Sequence, residues 1–150
     1  MSRTGQSDHC HEETDRIFKP KSEHSMWLFT RHGFFSITRR PEMDAEHPVQ
    51  IRARCREDLE ALRERWGALL GECAVIDTPQ GDYPARLCIT GETLEALMRE
   101  IAQDLDYPNF KGEIGRTPGQ TDKLHAYHGI WEIMADYQRR KTGRGPYGGG

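Results

Sequence analysis

The chain lacks any apolar run long enough to cross a bilayer, which argues against a membrane-spanning helix. Its first residues are dominated by Ser, Asp, His and Glu and carry no charged-then-apolar export pattern. Cysteine is scarce and scattered. Cys10, Cys55, Cys73 and Cys88 include no close pair, so neither a zinc knuckle nor a redox dithiol is indicated, and reduced thiols in the cytoplasm are expected. Positive charge is not in excess either. A net charge of −3 and a pI near 6.2 argue against bulk capture of duplex DNA, while leaving room for a local basic face. No serine sits in a nucleophile elbow and no glycine-rich loop joins a strand to a helix. Neither a cofactor nor a metal is therefore expected.

Apolar residues are few, at 35% of 150 with a mean hydropathy of −0.82, and the deficit sits at the ends. Residues 1–25 hold little apolar material beyond Ile17 and Phe18, and residues 141–150 are rich in glycine. Such segments bury too little surface to offset the entropy of ordering, so both are expected to be disordered. One domain over residues 26–140 remains.

Within it, Met26 to Thr30 and Phe34 to Thr38 are β-prone runs around Arg31-His32-Gly33, which predicts a hairpin. Residues 41–48 are polar and predict a loop. Val49 to Cys55 alternates, with Val49, Ile51, Ala53 and a buried Cys55 on one side and Gln50, Arg52 and Arg54 on a wet one. Leu59, Leu62, Trp66 and Leu69 fall at helical spacing after Glu57 and Asp58. Two strands are expected over 72–78 and 83–90, joined by a turn at Pro79 to Asp82. Thr90 caps a helix carrying Leu94, Leu97, Met98 and Ile101, which Pro108 ends after Tyr107. Residues 112–120 read as a loop, and the last helix spans about 121–140. Leu124, Tyr127, Trp131 and Met134 form its stripe, so a buried Trp131 is expected, whose truncation to alanine costs roughly 3–5 kcal/mol. The sum is an α+β fold, a mostly antiparallel sheet of about five strands with helices packed on one face.

Side chains able to both stack and hydrogen-bond are concentrated late in the chain. Tyr107, Asn109, Phe110 and Lys111 are followed by His125, Tyr127, His128 and Trp131. With Arg52 and Arg54 on a sheet face, and Arg31, Arg39, Arg56 and Arg86 able to reach it or its rim, these groups can hold phosphates and stack on bases. The competing readings are a solvated face paired with acids and, for the late cluster, a polar-edged core helix. Lys111 can meet a phosphate and Asn109 an amide or base edge; equally, they can form an ordinary turn. His125, His128 and Glu132 share a helical face, but the spacing lacks the acid between two histidines of a zinc protease. His9-Cys10-His11 is an adventitious metal binder at most.

Met26-Trp27, Gly33-Phe34-Phe35-Ser36, Arg52-Ala53-Arg54, Asp106-Tyr107, Asn109-Phe110-Lys111 and Tyr127-His128 with Trp131 together resemble a family of short bacterial and phage proteins with no established activity. The resemblance covers residues 26–138. It implies a setting in host–phage or plasmid biology and no particular chemistry.

The leading expectation is a cytoplasmic module that binds a phosphorylated ligand, either a nucleotide or a short single-stranded nucleic acid. Arg52, Arg54, Tyr107, Asn109, Lys111, Tyr127 and His128 would line its site. One alternative is a phosphodiesterase or nuclease using His128 and His125 as general acid and base. Another is a protein-binding inhibitor or adaptor. Oligomeric state is not legible.

Overall fold

Alternating aromatic and β-branched side chains draw the first half of the chain into strands. The computed structural model describes residues 24–41 and 44–143. Strand β1 (His24–Thr30) pairs antiparallel with β2 (Gly33–Arg39), with Phe29 opposite Phe34 and Thr30 opposite Gly33. β2 pairs with β3 (Val49–Ala53), β3 with β5 (Ala85–Ile89), and β5 with the two-residue β4 (Ile76–Asp77), all antiparallel. The sheet order is β1-β2-β3-β5-β4.

The strand expected over 72–78 shrinks to β4. Cys73 still donates its N–H to the Leu70 carbonyl (2.9 Å), so the turn out of the preceding helix consumes the first residues. The strand expected from residue 83 begins only at Ala85, because Pro84 has no N–H to give a ladder. Cys55, expected in the core, is exposed. β3 stops at Ala53, and Cys55 instead precedes α1 (Arg56–Arg65), where strand alternation no longer applies.

Trp66 breaks the helical path at φ −120°, ψ 52°, and α2 (Gly67–Leu70) follows. α3 (Gly91–Gln103) starts as expected, with Thr90 Oγ1 accepting the Thr93 N–H at 3.1 Å. It ends four residues earlier than Pro108 alone would dictate. Residues 112–120, expected as a loop, begin inside α4 (Phe110–Arg116), because the Asn109 side chain accepts the Gly112 N–H (3.0 Å) and caps a helix despite its two glycines. A 3₁₀ turn (Thr121–Lys123) leads into α5 (Leu124–Thr142).

Phe35, Ile37, Val49, Ile51, Ala53, Leu87 and Ile89 point to one side of the sheet, where Leu59, Leu62, Trp66 and Leu70 from α1 and α2 and Leu97 from α3 cover them. The hairpin turn is where the helices are fastened. Arg31 donates to Asp104 (2.7 and 3.0 Å), Asp106 (3.0 Å) and Glu113 (2.9 Å), while His32 Nε2 lies 2.8 Å from Asp104 and Arg65 donates to the same carboxylate at 3.0 Å. These bonds hold Asp104 at the end of α3. Gly33, at φ +150°, lies so close to Asp58 of α1 that an added Cβ would stand 2.5 Å from its Cγ. No larger residue fits there without displacing α1.

Trp131 and Met134, expected in the core, are exposed; the stripe of α5 is buried at Tyr127 and open to solvent beyond it. The expected disordered segments and His9-Cys10-His11 lie outside the described residues, except His24 and Ser25, which belong to β1, and residues 141–143, of which the first two continue α5.

Candidate functional site

Strand alternation puts Arg52 and Arg54 on the face of β3 opposite the core, and both converge on one ring. Tyr83, buried in the loop before β5, has the Arg52 guanidinium 4.8 Å and the Arg54 guanidinium 4.5 Å from its centroid. Arg52 also donates to Ser36 Oγ (2.9 Å), and Arg54 to the backbone oxygen (2.9 Å) and carboxylate (3.2 Å) of the exposed Asp82. Of the face expected to be wet, only Arg54 is exposed, and Arg52 is half-buried. Gln50, Ser36 and Thr38 are buried, and Arg86 spans Gln50 (3.2 Å) and Thr78 (3.1 Å). Of the other arginines, Arg31 is committed to the acids around Asp104, and Arg56 to Asp77 (2.6 Å) and Glu60 (3.1 Å).

The same alternation in the hairpin gathers aromatic rings on this face. Phe29 stacks on Phe34 (4.7 Å between centroids), and Trp27 meets Phe34 edge-on at 5.7 Å. α5 lays Tyr127 edge-on against Phe29 (5.7 Å), and Phe110 of α4 backs it at 5.4 Å. Between these rings and Tyr83 opens a cavity of about 270 Å³, with Arg54, Cys55, Asp58, Lys123 and Ile130 also in its lining.

Its polar end is built around Asp58. The buried carboxylate accepts from Lys123 Nζ (2.7 Å), Gln120 Nε2 (3.0 Å) and the Phe34 N–H (3.4 Å). Gln120 also donates to the His32 carbonyl (3.1 Å), tying the cavity wall to the hairpin turn. The Tyr127 hydroxyl is buried and has no hydrogen-bond partner among the described residues. Burial first, and the Asp58 carboxylate next, push its ionisation well above the ordinary phenol range, so it stays protonated and able to donate. Burial and Asp58 likewise raise the Cys55 thiol, which opposes a nucleophilic thiolate. The arrangement can hold a flat ring between aromatic walls, offer it one hydroxyl, and meet an anion with Arg54 at the rim.

Arg54 and Tyr127 therefore meet in one cavity, and Arg52 adjoins it through Tyr83. The other expected residues go elsewhere. His128 stacks on Trp131 (5.9 Å) and lies 3.3 Å from Glu132, and Lys111 Nζ sits 4.7 Å from the Trp131 ring. These form a separate cluster where α4 meets α5. His125 is exposed. Tyr107 lies beneath Arg31 at 5.3 Å, and Asn109 is occupied as the cap of α4. No group of three His, Cys, Asp or Glu side chains that could hold a metal ion occurs among the described residues.

Sequence reasoning passed over Tyr83, Trp27, Phe29, Phe34, Asp58 and Lys123. The three hairpin aromatics were readable, since they alternate against Leu28 and Phe35. Asp58 and Lys123, 65 residues apart, left no local signal. Set beside models of known protein families, curated proteins and solved structures, the chain matches none.

Proposed function

We propose that this protein is a binding module for a phosphorylated ligand bearing a flat ring, either a nucleotide or one nucleotide of a short single strand. The observation that carries the reading is the aromatic-walled cavity with Arg54, stacked on Tyr83, at its rim. The ring enters between Tyr83 and the wall that Phe29, Phe34 and Tyr127 form together, the phosphate stays outside with Arg54 and Arg52, and the Tyr127 hydroxyl meets an acceptor on the ring edge. A cavity of about 270 Å³ favours a single ring system over a larger ligand buried whole. The free thiols of Cys55, Cys73 and Cys88 support a cytoplasmic setting, and no helix among the described residues is long and apolar enough to cross a membrane. Resemblance to bacterial and phage proteins supports a place in host–phage or plasmid biology. Histidine-dependent hydrolysis has less support, because the described lining of the cavity carries no histidine.

Calorimetric titration of the full chain with mono-, di- and cyclic nucleotides and short single strands, alongside a product assay, tests the reading. Binding is expected without turnover. Arg54→Ala is expected to weaken it by on the order of 1–3 kcal/mol with the fold intact. Tyr127→Phe keeps the ring and the fold and is expected to lose affinity only for ligands with a ring-edge acceptor. No binding at high micromolar ligand overturns the proposal and leaves the protein-binding adaptor as the better account; product formation abolished by His128→Asn favours the enzyme.

A further inference from the structure

We propose that the second half of α5 is a dimer interface, and that its occupant is the same helix of a second copy. The apolar stripe that is buried at Tyr127 continues through Ile130, Met134 and Tyr137 at alternating spacings of three and four, flanked by Trp131 and Ile133. That is the seam with which one helix packs on another. Beyond Tyr127 no residue of α5 is buried. Ile130, Trp131, Ile133, Met134 and Tyr137, with Trp27 across the cavity from Ile130, are each 42–69% exposed. At roughly 200 Å² of accessible surface for a large side chain, six such exposures amount to about 700 Å². A standard specific interface covers about 800 Å² per partner, so the patch is of the size that one two-fold contact needs.

Polar residues agree with this assignment. Asp136 with Arg139, and His128 with Glu132, pair on the side of the helix opposite the seam, so no charged residue interrupts the seam between Tyr127 and Tyr137. The basic end, Arg139, Arg140 and Lys141, sets the direction. A parallel pair would bring six cations side by side, whereas an antiparallel pair separates the two clusters by the length of the contact. The two helices therefore run antiparallel. The contact needs no ligand, and it touches the cavity only at Trp27 and Ile130.

Sedimentation equilibrium of the full chain across low to high micromolar concentration tests the assignment. The expected result is a species of twice the 17.3 kDa chain mass. Ile133→Glu with Met134→Glu is expected to weaken association at least a hundredfold while the circular dichroism spectrum stays unchanged. Should that variant lose helical signal, Tyr137→Arg, a turn further from the folded body, is expected to weaken association at least tenfold. A wild-type chain that is monomeric throughout the range, or a dimer that survives folded variants of the seam, overturns the proposal. Ligand binding by either species bears only on the cavity.

Discussion

Asp58 is the residue on which cavity and fold both depend. Its carboxylate accepts from Lys123, Gln120 and the Phe34 N–H, and its side chain fills the space that Gly33 leaves open. Asp58→Ala strands a half-buried ammonium and a buried amide together, and is expected to cost about 3–5 kcal/mol in urea unfolding. Asp104 holds the other side of the turn. Burial by itself would raise its carboxyl, but hydrogen bonds from Arg31, His32 and Arg65 outweigh that and hold it down to about 2. A carboxyl depressed below its unfolded value stabilises the fold above the unfolded pKa and loses that contribution as pH falls through the folded one. The loss is therefore expected between pH about 4 and about 2 and to reach about 2 kcal/mol. Denaturant melts at steps across that window check it, with Asp104→Asn showing a shallower acid dependence than the wild type.

At the scale of elements, α4 and α5 carry the departures from expectation. α4 exists because Asn109 caps it, so Asn109→Ala is expected to cost about 1 kcal/mol of stability. A nucleotide's affinity is expected to be unchanged in that variant, since the side chain is occupied by the Gly112 N–H and lies outside the cavity lining. Of the stripe expected on α5, Leu124, Tyr127, Trp131 and Met134, only Tyr127 is buried. Periodicity reports which side of a helix is apolar, not how far the rest of the domain extends along it. Only Tyr127 finds a core, and Trp131 does not. Trp131→Ala is accordingly expected to cost well under 1 kcal/mol in the unassociated chain, far below the cost of truncating a buried tryptophan.

For the molecule as a whole, the hairpin turn Arg31-His32-Gly33 is where distant segments meet. Side chains from α1 and α4, and from the residues that follow α3 and precede α5, reach it or the Asp58 site beside it, across 62 to 88 positions of sequence in the longest bonds. Coupling of this kind predicts that sheet and helices unfold together. Residues 24–143 alone are expected to melt in one transition, with tryptophan fluorescence and circular dichroism coincident. Two separated transitions would mean that α4 and α5 form a weaker unit.

The hairpin, the alternation of β3, the cap at Thr90 and the α+β class are legible in the amino-acid order, because each rests on contacts or periods within a few residues. That order also puts Arg52 and Arg54 on one face, since strand geometry alone does that. Tertiary structure decided what those arginines face. Tyr83 comes to them from 29 residues beyond Arg54 through the pairing of β3 with β5. It likewise decided that Arg54 shares a cavity with Tyr127 while His128 does not, because one residue's step along a helix turns a side chain by about 100°, and that Lys111, Tyr107 and Asn109 are held elsewhere, by Trp131, Arg31 and the Gly112 N–H. Whether a polar face is wet depends on what the rest of the chain lays over it. Ser36, Thr38 and Gln50 are buried for that reason, and no local pattern records it.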